Sequence, residues 1–238
     1  VRDEKSLYHI IGTRIKAIFG DVVVLVNSYE PETRQFCTMA VEGIGVGLER
    51  ILNVLGRDPV GMITTLNDES AEHILKTGKL ADGPKGIHGL SFGAIPKAIA
   101  HSLEKLVGIR RIYVVGLVRE GELFGSAIIV DRSTSSGADF VSRKRLVEAY
   151  VSQASLALLR NRFEQELKES EERYRQLVNN APAGIYEMDL KNFGITNVNE
   201  VMCRYTGYTK EEFLSLNPMI LLAEESLEHF LERGRRIF

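Results

Sequence analysis

The run VVVLVN at residues 22–27 is β-branched and apolar and predicts a strand, and RQFCTMAV at 34–41 predicts a second. The turn-forming SYEPET between them is too short for a crossover helix, so the two pair as an antiparallel hairpin. Leu48, Ile51, Leu52 and Leu55 recur at helical spacing over residues 47–55, and Gly56 ends the run. MITTL reads as a short strand. Asp68 then caps a helix that carries Ile74 and Leu75 and stops at Gly78.

Residues 79–93 (KLADGPKGIHGLSFG) are rich in glycine and have no period, so an irregular loop bordering a ligand cavity is expected there. A helix follows with Ile95, Ile99, Leu103 and Leu106 on one face. The clearest hairpin comes next: RIYVVGLVR and ELFGSAIIV, joined by Glu120-Gly121, where glycine supplies the positive φ of a tight turn. The order helix, hairpin, helices, hairpin, helix predicts an α+β fold with a largely antiparallel sheet flanked by helices.

Nothing breaks a helix from Phe140 to Asn179, which at 1.5 Å per residue is roughly 60 Å long. Val147, Val151, Ala154 and Leu158 form one apolar face, suited to the sheet. A second seam runs Leu146, Ala149, Gln153, Leu156, Arg160, Phe163, Leu167, Ser170, Tyr174, Leu177 at alternating three-four spacing. That is a coiled-coil pattern, and it predicts a homodimer through the 146–177 helix. After Asn180, APAGIYEMDL and ITNVNEVMCRYTGY read as strand, turn, strand and a short helix ending at Gly207. Thr209 and Glu212 form a capping box for a helix carrying Phe213 and Leu214, and EESLEHFLERGRRIF reads as a final amphipathic helix.

Composition narrows the function. The 238-residue chain has a net charge of −2, which gives no footprint for nucleic acid or an anionic membrane. Its two cysteines, Cys37 and Cys203, fall in different predicted domains, so no disulfide framework is expected and a cytoplasmic location is the natural one. No apolar run approaches the roughly 20 residues of a membrane span. Opening at Val1 and closing at Phe238 within an amphipathic stretch, the sequence reads as part of something longer.

ESEERYRQLVNNAPAGIYEMDL followed by NVNEVMCRYTGYTKEEF closely resembles the opening half of a PAS domain, over residues 170–238, with the last three strands of that family lacking. Residues 5–165 resemble a GAF domain, through the paired hairpins, the LKTGK helix end, ELFGSAIIV and the exit helix VEAYVSQASLALLRNRFEQELKES. The expected organisation is a GAF-like domain over 1–165, a signalling helix over 141–179 and a partial PAS-like segment over 170–238. The resemblance implies small-molecule or light sensing, dimerisation through connecting helices and a downstream output domain. A sensor histidine kinase is the implied parent, and this chain itself is expected to be non-catalytic.

Candidate site residues follow. His88 lies in the glycine-rich segment that would border a GAF pocket, as a ligand's hydrogen-bond partner or an axial haem ligand; the alternative is a solvated loop histidine. Cys37, mid-strand between Phe36 and Thr38, is either a small hydrophobe or the holder of a cofactor, as the GAF resemblance implies for some sensors. Phe36 and Phe92 are further pocket candidates. In the PAS-like part Tyr186, Met188, Asn199 and Tyr205 match positions that line or brace the family's pocket, with core packing as the simpler role. Gly43, Gly45 and Gly47 in GIGVG imitate a dinucleotide fingerprint but follow a hairpin, which favours a tight turn. Histidines at metal-ligand spacing are absent, so no zinc site is supported. Two other readings stand beside the sensor: a GAF spacer that only dimerises, its pocket filled by Phe92 and Ile95, and a nucleotide- or redox-active domain.

Overall fold

The computed structural model describes residues 4–45, 48–133, 138–189, 191–192 and 194–217. The chain divides into two units, Val1–Phe163 and Glu164–Phe238.

In the first unit, strands β1 (Val22–Glu30), β2 (Gln35–Glu42), β3 (Ile63–Thr65), β4 (Ala81–Asp82), β5 (Arg111–Arg119) and β6 (Glu122–Asp131) form one sheet in the order β3-β2-β1-β6-β5-β4. Every pairing is antiparallel. The two hairpins expected from the sequence are thus joined at its centre by β1 and β6. Glu120 and Gly121 both take positive φ, 54° and 84°. That gives the two-residue turn whose twist matches the flanking strands.

Because side chains alternate across a strand, β1 serves two layers. Val22, Val24 and Val26 pack with Val115, Leu117, Ala127 and Ile129 of β5 and β6 beneath two helices, α1 (Glu4–Phe19) and the first part of α6 (Ala138–Asn180). The helices contribute Tyr8, Ile11, Ile15 and Phe19, and Val147, Val151, Ala154 and Leu158, the face predicted for the sheet. The second seam of α6 stays outside this core: Leu146, Leu156, Phe163, Leu167, Tyr174 and Leu177 are all at least half exposed.

The opposite face carries α2 (Leu48–Leu55), α3 (Glu69–Lys76), α4 (Gly86–Leu90) and α5 (Lys97–Val107). Asp68 caps α3 by accepting from the amides of Ser70 and Ala71. Two expectations are corrected here. Residues 79–93 are not irregular throughout, since they hold β4 and α4. The α5 face is set by Ala100 and Leu103, both buried, whereas Leu106 is exposed. Pro96 starts that helix, leaving Ile95 ahead of it, and the inward stripe continues from Leu103 to Val107, four residues on.

In the second unit, β7 (Tyr186–Asp189) and β8 (Gly194–Val198) form a hairpin, followed by α7 (Glu200–Thr206) and α8 (Lys210–Ser215). Ile195, Val198 and Phe213 make its core, with Tyr186, Met202, Cys203 and Leu216 packed around them. Thr209 and Glu212 form the capping box of α8. The final amphipathic helix expected over EESLEHFLERGRRIF lies outside the described residues.

Candidate functional site

Between the sheet and α2, α4 and α5 lies a cavity of about 140 Å³. Val23 and Leu25 of β1, Val41 of β2 and Ile128 and Val130 of β6 form its floor; Ile51, Leu55, Ile87, Leu90, Ile95 and Leu103 form its roof. Among the described residues that line it, only Asn27, Thr38, Thr64 and Ser91 are polar and none is charged. Asn27 sits opposite Thr38 on β2 and opposite Ser126 on β6, so three adjacent strands bring a polar row together on one face. The β1–β2 register shifts between Val26 and Asn27, which is what brings Thr38 opposite Asn27. The buried Asn27 donates through Nδ2 to Ser126 Oγ at 3.1 Å.

The roof is held by bonds that sequence spacing did not reveal. The helix α4 has no cap from its own Lys85. Instead Glu104 of α5 accepts from the amide of Ile87 at 2.8 Å, placing a carboxylate at the helix N-terminus, where the backbone is electropositive. Gly86, at φ 81°, makes the approach possible, because a Cβ there would lie 2.4 Å from Glu104 Oε1. Glu148 of α6 accepts from the amide of Leu80 at 2.9 Å, tying the start of the same segment to the other side of the sheet.

The candidates read from the sequence are not gathered in this cavity. His88 lies on α4, half-buried, and its Nδ1 donates to the carbonyl of Ile95 at 2.7 Å, which fixes the tautomer and staples the turn after α4. Phe36 packs on Tyr29 in a tilted pair, 4.8 Å between ring centres, and Phe92 packs against that same neighbouring cluster. Cys37 pairs with Ser28, on the side of the sheet that carries Val24 and Val26, away from the cavity. Ile95 does line the cavity, as the spacer reading expects, while Phe92 does not. The residues that sequence reading missed are Asn27, Thr38, Ser91 and Ser126. Asn27 was visible as the polar interruption in VVVLVNSYE, where alternation alone assigns it to the face of Val23 and Leu25.

In the second unit, Asn199 is fully buried and uses its whole hydrogen-bonding capacity. Its Oδ1 accepts from the amides of Ile185 and Met202, both at 2.9 Å, and its Nδ2 donates to the carbonyls of Val178 at 2.9 Å and Ala183 at 3.0 Å. Tyr186 packs on Phe213 in the core. Met188 is half-buried on β7, and Tyr205 is 70% exposed, its hydroxyl donating to the carbonyl of Pro182. A polar groove of about 510 Å³ in this unit is lined by Glu171, Tyr174, Arg175, Val178, Asn179, Asn197 and Lys210, and by none of these four. Tyr174 donates to Glu187, and that bond to a carboxylate raises the phenol's pKa.

Residues 172–237 match the family model of a PAS domain. The second unit is PAS-like. Among curated proteins none matches the chain in sequence. Solved structures similar to the chain include GAF domains. The blue-light-absorbing form of the PixJ GAF domain from Thermosynechococcus elongatus is 16% identical, with a TM-score of 0.49 over 71% of this chain and 92% of that one. The second GAF domain of DevS from Mycobacterium smegmatis is 12% identical, with a TM-score of 0.47 over 69% and 99%. A GAF domain/HD domain protein from Geobacter sulfurreducens is 15% identical, with a TM-score of 0.49 over 68% and 95%.

The GAF-like unit does not suit haem as it stands. Its cavity is smaller than the roughly 300 Å³ at which pockets for drug-sized ligands begin. No histidine or cysteine lines it among the described residues, and no cation faces it to meet an acidic substituent. Gly43, at φ 89°, is required because a Cβ there would lie 2.2 Å from the carbonyl oxygen of Val22, so the GIGVG segment begins as a turn pressed against β1. Gly47 lies outside the described residues. Among the described residues no helix is long and apolar enough to cross a membrane, and no cluster of three metal-ligating side chains occurs.

Proposed function

We propose that this chain is the sensory module of a signal-transduction protein, with the cavity of the GAF-like unit as its sensing site and α6 as its relay. The observation that carries this reading is the double service of β1. Val23, Leu25 and Asn27 line the cavity, while Val22, Val24 and Val26 pack in the core that holds Val147 and Val151 of α6. A ligand that reshapes one face of so thin a layer alters the packing of the other, because close-packed interiors transmit displacement. Glu148 adds a polar link from α6 to the segment that leads into the roof. To signal, the ligand must stabilise two arrangements of α6 unequally.

The exposed seam of α6 supports a homodimer through residues 146–177. Leu167 and Leu177 are 62% and 67% exposed, and apolar residues repeating at coiled-coil spacing are covered by a second helix in that arrangement. A cytoplasmic sensor histidine kinase is the parent proposed from the GAF–PAS order, with this chain supplying regulation and a separate domain the output.

Native mass spectrometry and an absorbance spectrum of protein purified from cells test the proposal. The expected species is a dimer of the 26.6 kDa chain. Leu167→Lys should shift it to monomer, and denaturation should release a small molecule from the wild type. A monomer at tens of micromolar that releases nothing contradicts both the dimer and the occupied sensing site. A Soret band would contradict the account of the cavity, since haem needs more room than it offers.

A further inference from the structure

We infer that the ligand class of the cavity is a small neutral molecule, about the size of one aromatic ring, that carries a single hydroxyl or N–H group. The inference rests on the reading of this cavity as the sensing site, and it goes further by naming what the site takes.

Three observations carry it. The first is size: about 140 Å³ is close to the roughly 150 Å³ of an apolar cavity that holds benzene. The second is charge. No described lining residue is ionisable. Glu104 of α5 is already engaged with the amide of Ile87, and His88 with the carbonyl of Ile95. An ionised ligand would leave water for a largely apolar cavity with no opposite charge to pair with, which is an unfavourable transfer.

The third is the polar row at the floor. Asn27 spends one amide hydrogen on Ser126, which orients the carboxamide and leaves its carbonyl oxygen able to accept from a ligand. Thr38 stands opposite across the β1–β2 pair, with its backbone amide and carbonyl tied to Met62 and Gly61 and its hydroxyl able both to donate and to accept. A ligand hydroxyl placed between them finds an acceptor and a donor. A ligand with no polar group leaves the Asn27 carbonyl oxygen and the Thr38 hydroxyl unmet in an apolar surround, and that asymmetry makes the site selective.

Phenol, benzoate and benzene, titrated separately into the whole chain and followed by amide chemical shifts, test the inference. Phenol should bind with shifts at Asn27, Thr38 and Ser91, and benzoate should bind at least tenfold more weakly. Benzene should bind about fivefold more weakly than phenol. Thr38→Val, nearly isosteric, should narrow the preference for phenol over benzene from both sides, weakening phenol by the lost hydroxyl partner and strengthening benzene, while Asn27 still accepts from phenol. Benzoate binding as tightly as phenol, or a phenol preference undiminished in Thr38→Val, would overturn the ligand class while leaving the cavity a binding site. Folded protein that binds none of the three would overturn the inference and the sensing site with it.

Discussion

Two asparagines do different work in the two units. Asn27 is a polar residue set into an apolar strand and partly spent on Ser126, so it retains capacity for a ligand. Asn199 has none to spare: two donors and two acceptors from Val178, Ala183, Ile185 and Met202 converge on it. It therefore belongs to the frame of the PAS-like unit, joining the last turn of α6 to the strand lead-in and to the start of α7. Asn199→Ala would take away the side-chain partner of four backbone groups, at a cost of about 2–4 kcal/mol. Hydrogen exchange should show this as faster exchange at Ile185 and Met202, with β1 and β6 unchanged. Asn199→Asp should not rescue it, since an aspartate supplies neither donor and buries a charge. The sequence marked Asn199 as a pocket residue because a motif gives position without partners. Four-way satisfaction arises only when segments 21 residues apart in the chain converge.

At the scale of elements, most of the fold was legible because the signals are local. Apolar runs, the Glu120-Gly121 turn, the Asp68 cap and the Thr209–Glu212 box each act within a few residues. What escaped was non-local. The helix α4 lies in a segment without periodicity and owes its N-terminal partner to Glu104, 17 residues onward. The capping box also yields a pH signature. Glu212 accepts from the Thr209 amide and then from its hydroxyl, and these bonds to the charged form hold its pKa below the ordinary 4.5. A depressed folded-state pKa means that the contribution is complete above the ordinary value and is lost as pH falls through the folded one. Followed by NMR, the amide of Thr209 should lose its bonded shift only below pH 4.5. Glu212→Gln should flatten that titration. A midpoint at or above the ordinary carboxylate range would remove the box from solution.

Across the whole molecule, one sheet separates two tasks. One face binds α1 and α6 through the largest apolar core, and the other floors the cavity beneath α2, α4 and α5. The alternation that splits VVVLVN between these layers was readable from the sequence; the cavity was not, because it depends on how far the α2, α4 and α5 layer stands off the sheet. The central claim is that occupancy on one face is felt by α6 on the other. Hydrogen–deuterium exchange of the whole chain, with and without saturating phenol, tests it most directly. The account predicts slower exchange in β1 and β6 together with a change over residues 147–158 of α6. Protection confined to the strands and to the cavity roof, with α6 exchanging at the same rate in both states, would contradict it.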